Sequence, residues 1–123
     1  MFVRAENLWI VQLAGKLADQ ITAQVKTWSS LDKRTIGAQI IRAADSIGAN
    51  IVEGFGRHHP QDSLRFFYIA RGSLEETRYF VRRAAERGLW SSKEDQMLLG
   101  FYQHLSIALN AFVKAHKERN HLT

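Results

Sequence analysis

The 123-residue chain reads as an all-α protein, an antiparallel up-down-up-down four-helix bundle. Three observations predict it. Apolar residues recur at three and four positions along four successive segments, the breaks between segments are short and carry helix start and stop signals, and no segment alternates with the period of a strand.

The first stripe is Ile10, Leu13, Ala14, Leu17, Ile21, Val25 and Trp28, with Gln12, Lys16, Asp19 and Lys26 on the opposite side. Ser29-Ser30-Leu31-Asp32 breaks it. A second helix is predicted from about Asp32 to about Gly56, its stripe being Ile36, Ile40, Ala43, Ala44, Ile47 and Ile51, with Gly54, Gly56 and Pro60 punctuating its end. The third stripe runs through Phe66, Ala70, Ser73, Leu74, Thr77, Phe80, Val81 and Ala84 and stops at Arg87-Gly88. The fourth helix starts at Ser91-Ser92-Lys93-Glu94-Asp95, where both serines have a carboxylate three residues on, as a capping box requires. Its stripe is Leu98, Phe101, Tyr102, Leu105, Leu109, Phe112 and Val113. Helices of about 25 residues, each about 38 Å long, fit a bundle with short connections, and only the polar tail after about Lys117 is expected to fray.

At this length and 46% hydrophobic content the chain makes one domain, residues 1–123. The absence of Cys excludes disulfides, a thiol nucleophile and Cys-based metal sites, and fits a reducing cytoplasm. The first residues, Met1-Phe2-Val3-Arg4-Ala5-Glu6, carry charge at once, and no apolar run nears the ~20 residues of a membrane span. A soluble, unprocessed cytoplasmic protein with no membrane partner is expected. The net charge of +5 favours acidic partners.

Catalytic and cofactor chemistries find no foothold in the pattern. Gly54-Phe55-Gly56 lacks the third glycine of a dinucleotide fingerprint and follows a helix, so it reads as helix-end punctuation. His58-His59 with Asp62 reads as a solvated loop, because adjacent histidines on a turn rarely converge on one ion. A di-iron bundle needs inward-facing Glu on all four helices and two Glu-x-x-His pairs, yet the one such spacing, Glu118 with His121, lies in the tail. Ser46, Ser73 and Ser106 lack His and carboxylate partners at helical spacing, and His104 and His116 read as packed or terminal residues. No enzyme activity, cofactor or metal is expected.

Two surface features remain. Arg71, Arg78 and Arg82 share one face of the third helix, with Arg65 and Arg83 flanking it, Arg87 at its end and Tyr68 interleaved as a stacking platform for a base. Such a stripe can track a phosphate backbone. Equally, Arg71 with Glu75, Glu75 with Arg78 or Arg82, and Glu76 with Arg83 have the spacings of a self-neutralising ladder. The second feature is on the fourth helix, where Gly100, Ala108, Ala111 and Ala115 lie away from the main stripe with Met97, His104 and Ile107 nearby. A helix apolar nearly all round is buried on both sides, so Gly100, His104, Ala108, Ala111 and Ala115 are candidates for an oligomer interface. Gly37, Ala38, Gly48 and Ala49 on the second helix extend the same reading.

The run Gln39-Ile40-Ile41-Arg42-Ala43-Ala44-Asp45-Ser46-Ile47-Gly48-Ala49-Asn50-Ile51-Val52-Glu53-Gly54-Phe55-Gly56-Arg57, followed by Phe66 through Glu76, resembles the four-helix-bundle family of 23S rRNA intervening sequence proteins, also called S23 ribosomal proteins. That family is named for a genomic location, not an activity. Its relatives include accessory proteins of diversity-generating retroelements, which form basic homopentameric rings that bind nucleic acid and a reverse transcriptase. The resemblance therefore implies a bundle, a pentamer, RNA or DNA binding, and a reverse transcriptase or other protein partner. A protein-binding adaptor with incidental charge is the alternative. Within the motif Arg42, Ser46, Asn50, Glu53 and Arg57 follow one another at three or four residues. This polar seam, continued by Arg71 and Glu75, is expected to hydrogen-bond to a neighbouring helix or subunit and so specify packing and register.

Overall fold

A computed structural model describes residues 4–123; the opening Met1-Phe2-Val3, on which part of the expectation of an unprocessed start rests, lies outside the described residues. Four long helices form the bundle. After a single 3-10 turn at Ala5–Asn7 come α1 (Trp9–Val25), α2 (residues 30–55), α3 (Pro60–Glu86) and α4 (Ser92–Arg119). Each packs antiparallel on the next, and α4 closes back on α1. The antiparallel pairing shows in the cross-contacts: on α3 and α4, Pro60 meets His116, Glu75 meets Tyr102 and Arg82 meets Asp95. No helix among the described residues is long and apolar enough to cross a membrane.

The helix ends follow from local chemistry. Ser29 caps α2, its Oγ accepting from the Asp32 amide at 3.2 Å, so the stretch expected to break the pattern is the start of the helix. Pro60, expected to punctuate α2, is the first residue of α3, where a missing N–H costs nothing and φ is already helical. Of the two serines in position to open α4, Ser91 makes the capping box with Glu94. Gly88, at φ 72°, closes α3 in a Schellman turn, with the Leu89 amide bonded to the Ala84 carbonyl at 3.0 Å. The same turn ends α4. The Leu122 amide donates to the Lys117 carbonyl at 2.8 Å, His121 takes the left-handed conformation, and Asn120 Nδ2 donates to the His116 carbonyl at 2.9 Å. The helix thus continues past Lys117 to Arg119, and Leu122 packs on the core instead of fraying.

The core follows the predicted stripes with one exchange. On α3 Phe67, not Phe66, is fully buried, meeting the rings of Phe112 and His116 edge-on. Phe66 is half-buried. Both spacings, three and four residues back from Ala70, suit a helix stripe, and the wall set by α4 selects the first. Trp28 and Trp90, ring centroids 5.3 Å apart, close the opposite end of the bundle.

Two glycines permit close approach of helices. A Cβ on Gly54 would lie 2.7 Å from the Phe67 ring and 2.9 Å from the Ser63 carbonyl oxygen, so Gly54 is the point where α3 presses on α2 and not merely the end of the helix. Gly37 ends a π-helical turn, Lys33–Gly37, and a Cβ there would lie 2.7 Å from Val25 of α1. Gly37, being buried, is used for packing within the chain and not for the second-helix contribution to assembly expected from composition, whereas Gly48 is half-buried with Ala14 at an ordinary contact distance and Ala49 is exposed.

Candidate nucleic-acid interface and assembly face

The α3 arginines divide into two groups by their partners. Arg65 donates through Nε and Nη2 to Asp62 Oδ1, at 3.3 and 3.1 Å, and Arg83 donates to Glu86 at 3.1 Å. These are closed pairs. Arg71 and Arg78 instead lie on aromatic rings, Arg71 at 5.2 Å from the Tyr68 centroid and Arg78 at 5.1 Å from that of Tyr102. A guanidinium held on a ring keeps its exposed edge N–H groups available, which is the arrangement that suits a phosphate. In Arg71 the Nε–H is buried without a partner among the described residues, so only its terminal amino groups are open to one. Arg82 is 71% exposed and 3.8 Å from Asp95, too far for a hydrogen bond. Arg87, at the C-terminal cap of α3, is exposed and takes part in no ion pair among the described residues.

None of the ladder pairs drawn from spacing on α3 forms among the described residues. Glu75 is taken by the Tyr102 hydroxyl of α4, which donates to it, and Arg83 turns to Glu86. Burial, then the hydrogen bond and charge of Glu75, push the Tyr102 phenol above its ordinary value, with Arg78 opposing. Tyr102 and Asp95 are among the site residues missed by sequence reasoning. Tyr102 lies 27 positions from Glu75, and only the closing of α4 onto α3 brings them together.

Between α3 and α4 lies a cleft of about 570 Å³. Leu17, Val81 and Leu98, all buried, form part of its lining, together with Arg78, Arg82, Glu75, Asp95 and Tyr102. Tyr79, 60% exposed, borders it.

The polar seam of α2 is bonded along its own helix. The Ser46 hydroxyl donates to the Arg42 carbonyl and the Asn50 amide to the Ser46 carbonyl, both at 2.8 Å. The expected bond from Asn50 to a neighbouring helix is absent among the described residues, since i to i−4 back-bonding satisfies the amide donor locally. Cross-helix contact is made at the C-terminal end of the seam. Arg57 donates to Glu53 at 2.6 Å, reaches Asp62 of α3 at 3.5 Å, and lies 4.4 Å from the Phe66 centroid, where Arg65 also lies at 4.5 Å. Nor do Arg71 and Glu75 continue the seam: they turn to Tyr68 and Tyr102.

The outer face of α4 is open. Gly100, His104, Ala111 and Ala115 are exposed, Ala108 is half-buried against the core, and a Cβ added to Gly100 would meet nothing. Ile107 is 71% exposed and Met97 40%. From α1 the 60% exposed Trp9 adds its ring, 5.5 Å from that of His104.

Comparison with known proteins gives two findings. A family model described as 23S rRNA-intervening sequence protein matches residues 6–111. A crystal structure from Bacteroides thetaiotaomicron, a protein with unknown function from the S23 ribosomal protein family, superposes with a TM-score of 0.75 at 19% identity, over 85% of this chain and 98% of that one. At that identity the likeness speaks for the fold alone. No curated protein sequence matches the chain.

Proposed function

The chain belongs to the 23S rRNA-intervening sequence protein family, and from that premise we propose a non-enzymatic homo-oligomer, a pentameric ring, that binds nucleic acid electrostatically. The observation that carries the binding is the set of α3 arginines left out of close carboxylate pairs: Arg71 and Arg78 on tyrosine rings, Arg82 loosely beside Asp95, and exposed Arg87. Four such groups on one chain give weak binding. Repeated around a ring they become one multivalent surface, and the repetition carries the affinity. The exposed α4 face with Trp9, Met97 and Ile107 supports self-association, and the number five follows the family resemblance in the sequence.

The test is fluorescence anisotropy of labelled oligonucleotides against salt. If about six to ten phosphates are engaged by the assembly, affinity falls by roughly 10³ to 10⁵ between 50 and 200 mM salt. Binding absent at the lower salt would remove this reading. The second reading, a protein-binding adaptor, draws on the same α4 face, whose apolar side chains would then meet a different protein.

A further inference from the structure

Resting on the nucleic-acid reading, we infer that the α3/α4 cleft receives one unpaired nucleotide of a single strand, selecting a base that carries an exocyclic amine. Three features of the cleft combine. Its volume, about 570 Å³, is within the range of small-molecule sites, and its lining includes the accessible apolar Leu99 and the half-buried ring of Tyr102, against which a base plane can rest, over a floor of buried Leu17, Val81 and Leu98. A base in a duplex cannot enter it. Two guanidiniums, those of Arg78 and Arg82, line the cleft, and neither is in a close pair with a carboxylate. They suit the phosphates flanking the inserted nucleotide.

Two carboxylates are the unexpected part. A cleft built for phosphate alone would exclude them, because each weakens anion binding. Glu75 accepts from Tyr102 through Oε1, and its Oε2 has no donor among the described residues. Asp95 is two-thirds or more covered, at 22% side-chain exposure, and is held by Arg82 only at 3.8 Å. Carboxylate oxygens in such a place accept from an exocyclic amine, as Asp and Glu do from the amine of cytosine. Adenine and cytosine present that amine and thymine presents none. Tyr79, at the border of the cleft and 60% exposed, offers a ring on which the neighbouring base can stack.

The experiment compares homopolymers of deoxyadenosine, deoxycytidine and thymidine of equal length, together with a duplex, at about 50 mM salt. The adenine and cytosine strands are expected to bind about tenfold more tightly than the thymine strand and the duplex. In the Glu75→Ala, Asp95→Ala double variant the preference is expected to vanish while overall affinity holds or rises, since two negative charges are gone. Equal binding of all probes by the wild type, with its salt dependence intact, would overturn the cleft and leave the electrostatic reading standing. So would a preference that survives in the double variant. No binding of any strand would overturn both. Deoxyadenosine monophosphate, followed by chemical-shift perturbation, is expected to move the resonances of Tyr102 and Leu99 but to bind far more weakly than the strand. Equal affinity would assign the cleft to free nucleotides and overturn its role in strand binding.

Discussion

Helices α3 and α4 both carry unusual surface residues, but the two surfaces are in opposite states. On α3 almost every charged group has been given a place by a neighbour: Arg71 on Tyr68, Arg78 on Tyr102, Arg82 beside Asp95, Arg83 on Glu86. On the outer face of α4, Ile107 is 71% exposed, and Gly100, Ala111 and Ala115 lie in the open. The first surface has most of its charges placed by neighbours in the chain, and the second has apolar side chains with no neighbour over them among the described residues. An arrangement of charges on a firm support is what a ligand needs, whereas an open apolar face is what another protein surface needs.

The largest expected effect separates the two surfaces by assembly. Ala111→Glu would bury an unpaired charge in the interface and reduce the particle to monomer, while Gly72→Glu, equally exposed on α3, would leave the mass unchanged. Light scattering reads both. If neither changes the mass, the assembly face lies elsewhere.

Next comes binding. Replacing Arg78, Arg82 and Arg87 together by Gln is expected to lower nucleic-acid affinity about a hundredfold or more at low salt and to reduce the salt slope by about one for each phosphate no longer neutralised. Replacing Arg65 and Arg83, which are already paired with Asp62 and Glu86, should change affinity less than about threefold. The reverse order of effects would return the advantage to charge alone, regardless of partners.

These contrasts also mark what the sequence could convey. The four helices, their stripes and the capping box were legible because period and cap chemistry act within a few residues of each other. So was the open α4 face, since it needs only the absence of charge on one side of a helix. Fine distinctions on α3 were not. The spacing of Arg71, Glu75 and Arg78 admits a ladder, but Tyr102 and Asp95, brought by α4, compete for the same groups and win. Likewise Phe66 and Phe67 are both compatible with the stripe until α4 supplies Phe112 and His116. Gly54 read as a stop signal because its real neighbours, Phe67 and Ser63, lie on the next helix.

Stability gives a smaller test of the same comparison. A Cβ at Gly72 or at Gly100 meets nothing within the chain, so Ala at either should stabilise an isolated chain by about 1 kcal/mol in urea unfolding. At Gly72 the gain should persist in the assembled protein. At Gly100 it should shrink or reverse in the proposed assembly, where the added methyl group would meet a neighbouring copy. Equal gains at both sites would argue that α4 stays open.

The smallest effect concerns pH. Burial and Glu75 raise the Tyr102 pKa in the folded chain, so the folded state favours the neutral phenol. Its contribution is complete below the ordinary tyrosine value of about 10 and is lost as the pH rises through the raised folded value. Urea midpoints should therefore fall more steeply above about pH 10 in the wild type than in Tyr102→Phe. Parallel profiles would detach Tyr102 from Glu75.

The most direct measurement is the mass of the wild-type particle in solution, by size-exclusion chromatography with light scattering at micromolar concentration. A species several times the 14.1 kDa chain mass is expected, five times if the ring is a pentamer. A monodisperse 14.1 kDa monomer would contradict it, leaving the α4 face without a second copy and the arginines without the multiplicity on which the proposed binding depends.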